Sequence, residues 1–416
     1  MGSIFSLIVR VWQIYSPPVV PKSGNALKFG ILGAANIATT VLIKPAKSHP
    51  EVIVQAVAAR DKHRAEIYAK KYGIPQVHDS YEAILDDPSI DAVYIPLPPS
   101  LHFEWAMKAL TKGKHVLVEK PAVVNSEEAT ALFGSSLLRK PNAPVLLEAM
   151  HHKFQPTWQY FLSLVDRENL EHVHCTTKLP PYIIPENSVQ LNPETGGGNL
   201  LNLGTYGMST LRDVFGTEPE ECTDCTIRQA SLFELSDEGA EATFRFPGGL
   251  VGEISSDMRA SGLMMPTFNV TVTHKPVQIE DASLAAGQKK LRVRKLHLNN
   301  FMMAAAWHRI DIEDEYMIQK SADEHSGVLK RWTKRESKKV YTFNDAGIDQ
   351  PGEASWISFR HQLEQFVDHV RGRKGSGLWL SNEDSLANAK VIDMAYEKSG
   401  LPLRRTSKFV QAEAFT

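Results

Sequence analysis

The stretch that decides the fold is Leu27-Lys28-Phe29-Gly30-Ile31-Leu32-Gly33-Ala34-Ala35-Asn36-Ile37-Ala38. Its first six residues are apolar enough for a buried strand. Gly33 supplies a tight turn, and residues 36–48 have the pattern of a helix. A strand that turns on glycine into a helix leaves free N–H groups at the helix start, where a dinucleotide pyrophosphate can dock. The fingerprint for that use is G-x-G-x-x-G/A, and here Ala35 and Ala38 stand at the second and third positions. As a single motif it is weak. Its value comes from the strand–turn–helix context and from the repeat of strand–helix units behind it.

Residues 51–58 read as a second strand. Residues 61–72 read as a helix with Asp61 as N-cap and Gly73 as its stop. Helix 81–85, strand 91–95, helix 101–111, strand His115–Val118, a helix after Asn125 and strand 144–147 complete the series. Short apolar strands alternating with amphipathic helices predict a parallel sheet covered on both faces. After about residue 150 strand-like runs dominate, at 172–177, 241–246, 250–255, 268–273 and 292–298. Gly248-Gly249 reads as a hairpin turn. Helices are expected at 199–215, 355–371 and 383–398. Residues 288–339 are rich in Lys and Arg with acids interspersed, which predicts a solvated surface with loops. The fold class expected is α/β: a Rossmann doubly wound parallel sheet over 27–150, then an α+β domain over 151–416 with an open, mainly antiparallel sheet. Residues 1–26 form a separate N-terminal arm.

Bulk properties narrow the class. The chain has 416 residues, 43% apolar and 23% charged, with a formal net charge of −2. That suits a globular protein with a sizeable core and gives no basic excess for nucleic acid. The three cysteines, Cys175, Cys222 and Cys225, are too few for a disulfide framework and fit a reducing, cytoplasmic setting. Cys222 and Cys225 form one C-x-x-C without a second pair, which reads as a chance pair near a loop, so no metal is expected. In the arm, the apolar run from Ile4 to Trp12 is broken by Arg10 and ended by Pro17, Pro18 and Pro21. It is too short to span a bilayer and lacks a signal-peptide layout. An arm packed on the body or a disordered tail is the plain reading, and contact with a membrane surface the alternative.

Three places carry chemistry. The second strand ends Ala58-Ala59-Arg60. NAD enzymes place a carboxylate there for the ribose 2′-hydroxyl, whereas a guanidinium suits a 2′-phosphate. NADP(H) is therefore expected over NAD, with Asp61 occupied as a cap. Glu119-Lys120-Pro121 follows strand His115–Val118, at the carboxyl end where open sheets bind ligands. Lys120 there can hydrogen-bond a substrate oxygen, and its charge would lower the pKa of a nearby acid/base group. Finally, the glycine run Gly196-Gly197-Gly198 enters a helix on which Asn202 and Tyr206 share a face. Tyr206 can exchange a proton with a substrate hydroxyl, or be a packed core tyrosine.

Taken together, the segments FGILGAANIA (29–38), VAARD (57–61), YIPLPPSLH (94–102), GKHVLVEKP (113–121), 196–206 and 381–403 resemble the glucose–fructose oxidoreductase / inositol dehydrogenase / MocA family. The likeness is nearest its branch of dihydrodiol and NADP-linked xylose dehydrogenases, and it runs from about Leu27 to Arg405. The resemblance implies catalytic roles for Lys120 and Tyr206, with Asn202 beside them. It implies a cofactor lining of Gly33, Ala34, Ala35, Asn36, Ile37, Arg60, Leu97, Pro98, His102, Glu119 and Lys120. Asn202 stands where the family often has Asp. His152 and Lys153 stand where relatives commonly show an aromatic residue and Arg, which marks these two as candidate substrate residues. The expected activity is hydride transfer at a carbinol or carbonyl carbon of a sugar, polyol or cyclic diol, with Tyr206 exchanging the proton and Lys120 holding it acidic. Two other readings remain: an epimerase or glycosidase that retains NAD(P) without net redox, and a non-catalytic cofactor binder. The expected partners are a small-molecule substrate and further copies of the chain in a homodimer or higher homo-oligomer, with no nucleic acid and no membrane beyond contact by the arm.

Overall fold

The computed structural model describes residues 4–320 and 327–413. Its first sheet is built from β1 (Leu27–Leu32), β2 (Val52–Ala58), β3 (Gln76–Val77), β4 (Ala92–Ile95), β5 (His115–Val118) and β6 (Leu146–Glu148). They run in the order β3-β2-β1-β4-β5-β6, with every pairing parallel. β4 is buried along its whole length. A strand covered on both faces has no polar side to alternate with, hence the near-continuous apolar runs. The order reverses between β1 and β4, so a crevice opens at their carboxyl ends.

The second sheet comprises β7 (Leu170–Lys178), β8 (Glu221–Ala230), β9 (Phe233–Phe246), β10 (Leu250–Asp257), β11 (Thr267–His274), β12 (Val277–Ile279), β13 (Gln288–Asn299), β14 (Arg309–Lys320) and β15 (Val328–Lys338). Its order is β15-β14-β13-β11-β7-β10-β9-β8, with β12 beside β13. Only β7 and β10 run parallel; the rest pair antiparallel. Gly248 and Gly249 do turn the β9–β10 hairpin, both at positive φ.

Two expectations are corrected. Within the stretch read as a solvated surface with loops, where only 292–298 was expected as a strand, Gln288–Asn299, Arg309–Lys320 and Val328–Lys338 form the long strands β13, β14 and β15. Their charges pair across the strands, Arg294 with Asp314 at 2.8 Å, Arg335 with Glu313 at 2.7 Å and Arg331 with Glu315 at 3.2 Å. Tyr316 stacks on Trp332 with centroids 5.3 Å apart. Cross-strand charge pairs stabilise a sheet face without any apolar alternation to reveal it. Likewise Cys222 and Cys225 lie within strand β8, which a bulge between Cys222 and Asp224 distorts.

Helices tie the sheets together. Phe366, on helix Ser358–Val370, meets Phe29 of β1 with ring centroids 5.6 Å apart. Helix Asn382–Ser399 begins with a Ser381–Asp384 capping box. It then bonds both sides: Asp393 accepts from the Ser126 N–H at 2.8 Å, and Asn388 donates to the Thr205 hydroxyl at 2.9 Å. The chain end returns to the first sheet, where Arg404 O accepts from Asn125 at 2.9 Å and Phe409 packs on Phe103. Helix Ile4–Tyr15 docks on the far side through Arg10, so the arm does pack on the body. No helix among the described residues is long and apolar enough to cross a membrane.

Candidate active site

The glycine of the first turn works as its sequence context requires. Gly33 has φ +123, and a Cβ there would press on Leu97 Cδ2 at 3.2 Å. Two carbonyls of the turn are held from the helix Lys62–Tyr72: Ala34 O accepts from Arg64 Nη2 at 3.1 Å, and Ala35 O from the Tyr68 hydroxyl at 2.9 Å. Among the described residues the N–H groups of Ala34, Asn36 and Ile37 meet no protein acceptor. Free N–H groups on a fixed turn form an anion cradle. The predicted helix does not begin as an α-helix: Thr39–Ile43 is a π-turn, a feature frequent at functional sites. The residues therefore fit a dinucleotide pyrophosphate.

At the tip of β2, Asp61 accepts from the Arg64 N–H at 3.3 Å as the N-cap. Its carboxylate is thus engaged, and Arg60 stands exposed before it. Arg64, absent from the expected cofactor lining, adds a second guanidinium beside the turn. Its spacing of four from Arg60, in the first helical turn, was the available signal.

His102 braces the floor. It is 1% exposed, and its two ring nitrogens lie 2.8 Å from Pro121 O and 2.7 Å from Leu97 O. Burial pushes its pKa down to about 4, so the ring is neutral and donates to one carbonyl at a time. Its polar atoms are engaged by protein, so toward a cofactor it offers only its ring edge. Pro98 starts the short turn Pro99–Leu101, and Glu119 accepts from the Tyr94 hydroxyl at 2.7 Å. Burial raises the Glu119 pKa, a shift that the Tyr94 hydrogen bond and the Lys120 charge oppose.

These loops frame a cavity of about 420 Å³, lined by Ile37, Leu97, Glu119, Lys120, His151, Asn202 and Tyr206 among others. The Lys120 ammonium donates to Asn202 O and to Asn202 Oδ1, both at 2.8 Å. It also lies 4.8 Å from the centroid of the Tyr206 ring. Burial lowers the Lys120 pKa to about 8, against the opposing pull of Glu119 and Glu148. Tyr206 is 4% exposed. Burial, then the charges of Glu119 and Glu148, hold its phenol well above the ordinary tyrosine value. Lys120 is not among the groups that shift Tyr206: burial and two carboxylates hold the phenol up, while burial brings the lysine down.

The helix bearing Asn202 and Tyr206 also opens with a π-turn, Leu200–Gly204. Its start is fixed by residues the sequence did not flag. Asp237, fully buried on β9, accepts from Leu200 N at 2.5 Å and pairs with Arg404 at 3.1 Å. Gly198, at φ +135, lies so close that a Cβ would sit 2.5 Å from Asp237 Oδ1. Nothing local marks Asp237 or Arg404, because their pairing joins segments more than a hundred residues apart.

His152 and Lys153 are not at the cavity. His152 is fully buried, with its ring between Trp158, Tyr206 and Phe301. Lys153 pairs with Asp213 at 2.7 Å, and Asp213 also accepts from Trp158 Nε1 at 3.1 Å. The short turn His151–Phe154 sends neighbouring side chains in different directions. His151 is the one that reaches the lining, held by Ser358 at 2.7 Å and by Phe359, whose ring centroid is 3.9 Å away. Burial keeps it neutral.

Comparison with known proteins finds matches in both sheets. Residues 27–136 match the model described as an oxidoreductase family with an NAD-binding Rossmann fold, and residues 169–276 match the GFO/IDH/MocA C-terminal domain. The chain belongs to the GFO/IDH/MocA family. It is similar to D-xylose 1-dehydrogenase (NADP(+)) 2 of Haloferax volcanii, 35% identical over 226 residues that span 52% of this chain and 68% of that one. It is similar also to trans-1,2-dihydrobenzene-1,2-diol dehydrogenase of Sus scrofa, 29% identical over 62% of this chain and 75% of that protein. Among solved structures, a 3-ketoreductase from Actinomadura kijaniata in complex with NADP and TDP-benzene shares the fold. Its TM-score is 0.64 at 21% identity, covering 90% of this chain and 98% of that one. As a GFO/IDH/MocA protein, the chain is an oxidoreductase with an NAD(P)-binding Rossmann domain.

Proposed function

We propose that the chain is an NADP(H)-dependent dehydrogenase or reductase acting on a carbinol or carbonyl carbon of a small polyhydroxylated molecule, a sugar, polyol or cyclic diol. The observation that carries the reading is the Lys120–Asn202–Tyr206 cluster on the wall of a cavity that Ile37 of the first turn also lines. Arg60, with Arg64 one helical turn on, supports the 2′-phosphate form of the cofactor. The xylose and dihydrodiol dehydrogenases it resembles support the substrate class.

Bound in the crevice, the nicotinamide supplies or accepts the hydride. The protein's own part is to hold the substrate oxygen and move its proton. Tyr206 presents a neutral hydroxyl, with no protein partner among the described residues, to bind that oxygen. Lys120, with a pKa of about 8, takes the proton as its neutral amine when the alcohol is oxidised and returns it on reduction. The two oxygens of Asn202 fix the ammonium. A group whose pKa lies near the working pH is the efficient acid/base.

The test is absorbance at 340 nm with NADP or NAD across a panel of sugars, polyols and cyclic diols. Stoichiometric NADPH formation on one class, with a poorer response to NAD, is expected. No coenzyme turnover on any class, with either coenzyme and in either direction, overturns the reading.

A further inference from the structure

His151 is fixed at one end and free at the other. Its Nδ1 lies 2.7 Å from Ser358 Oγ, at the start of helix Ser358–Val370. Its ring lies against Phe359, tilted by 33° with centroids 3.9 Å apart. Nε2 has no hydrogen-bond partner among the described residues, yet it is not one of the polar atoms sealed in the interior. The next residue makes the contrast: both ring nitrogens of His152 are sealed without a partner. Since His151 lines the active-site cavity, its open nitrogen is the one presented there.

The wall around it is apolar, made by Leu203, Met302 and Phe359. A polar atom on such a wall is left short of a bond when the cavity fills, unless the occupant supplies one. The ring is also uncharged: burial, then the nearby His152 and Lys120, hold its pKa well below the ordinary histidine value. A neutral imidazole nitrogen offers one bond, donated or accepted according to the tautomer. That suits a hydroxyl, which can do either, and gives a carboxylate or phosphate no opposite charge.

The His151 and Tyr206 rings stand edge to face, with centroids 5.7 Å apart at 73°. Lys120 lies 4.8 Å from the Tyr206 centroid. A hydrogen bond spans about 3 Å, so groups this close reach oxygens on neighbouring carbons of one molecule. We propose that His151 binds the hydroxyl on the carbon next to the reacting one, and so selects a neutral substrate with a vicinal pair of oxygens. This rests on the dehydrogenase reading above, in which Tyr206 and Lys120 take the reacting oxygen. Two bonds on adjacent oxygens stop the substrate turning about the reacting carbon and so fix where its hydrogen points.

The experiment compares each compound that turns over with its analogues lacking one hydroxyl, such as trans-cyclohexane-1,2-diol with cyclohexanol and D-xylose with its mono-deoxy forms. The parent protein should disfavour the analogue without the adjacent hydroxyl by about tenfold or more in kcat/KM, because Nε2 is then left unpaired. His151→Phe keeps a ring against Phe359 and should treat the two compounds within about twofold of each other. NADPH binding, read by fluorescence titration, should match the parent. Ser358→Ala keeps the imidazole but loosens it, and should weaken the same preference by less; it carries the test if the first variant does not fold. A parent protein indifferent to the adjacent hydroxyl overturns the proposal, as does a preference that survives in the variants. Loss of NADPH affinity in His151→Phe with the preference intact also overturns it, by seating the ring on the coenzyme. No turnover of any compound with either coenzyme would remove the dehydrogenase reading and this inference together, whereas turnover with an unaltered preference removes only the role of His151.

Discussion

The Lys120 ammonium is bound by one residue twice, through the backbone oxygen and the side-chain oxygen of Asn202, each at 2.8 Å. This places an amine of lowered pKa beside the Tyr206 ring and fixes its direction. In the proposed mechanism this is the part that Asn202 plays, where the family resemblance leads one to expect Asp. An aspartate would add a negative charge and hold the lysine protonated; the neutral amide orients it and leaves its pKa near 8.

Lys120→Met should lower turnover by about a hundredfold or more, the scale of a lost acid/base group. Coenzyme affinity should change little, because the cradle lies on the first turn. Steady-state kinetics together with NADPH fluorescence titration separate the two. Retention of near-parental turnover would remove Lys120 from the chemistry.

Oxidation should speed up as pH rises through about 8, where Lys120 loses its proton, and the reductive direction should slow over the same range. Tyr206→Phe should keep that limb at a much lower rate, whereas Lys120→Met should lose it. Stability carries the same sign. The folded pKa is depressed from 10.5 to about 8, so between those values the unfolded chain binds a proton that the folded chain has released. The contribution of this group to stability therefore rises with pH across that window. Denaturant midpoints of the parent and Lys120→Met across about pH 7–10 check it.

Arg60→Ala should weaken NADP binding by about 1.5–3 kcal/mol, roughly tenfold to a hundredfold, and leave NAD binding nearly unchanged. Equal losses for both coenzymes would show that Arg60 does not meet a 2′-phosphate.

Lys153→Met should cost stability, about 1–3 kcal/mol, with little effect on kcat/KM. Its ammonium is bound to Asp213 at 2.7 Å, away from the cavity. A large rise in KM at unchanged melting temperature would return Lys153 to the substrate.

Gly198→Ala should destabilise by about 3 kcal/mol or more. The position combines φ +135 with direct crowding of the Asp237–Arg404 pair. Thermal melting reads the loss.

The local chemistry of the first sheet was legible. β1, the turn at Gly33, the Asp61 cap and β5 follow from apolar runs, a positive φ and a carboxylate at a helix start, all of which act within a few residues. Lys120 and Tyr206 were legible as candidates for the same reason: each sits where a strand or a glycine run meets a helix. What the chain does not write locally is distance. Strands β14 and β15 were not legible because they are held by charge pairs whose partners lie about twenty residues away. His151, which the sequence did not flag, lines the cavity in place of His152 because a tight turn, not a regular period, sets their directions. The cluster at Lys120 required two segments eighty-two positions apart to meet. The burial that moves its pKa comes from everything packed around it. Sequence alone determined which groups were available; the packed tertiary structure decided which of them touch and which can hold a charge. Solvation and contact are properties of the folded volume, not of neighbours along the chain.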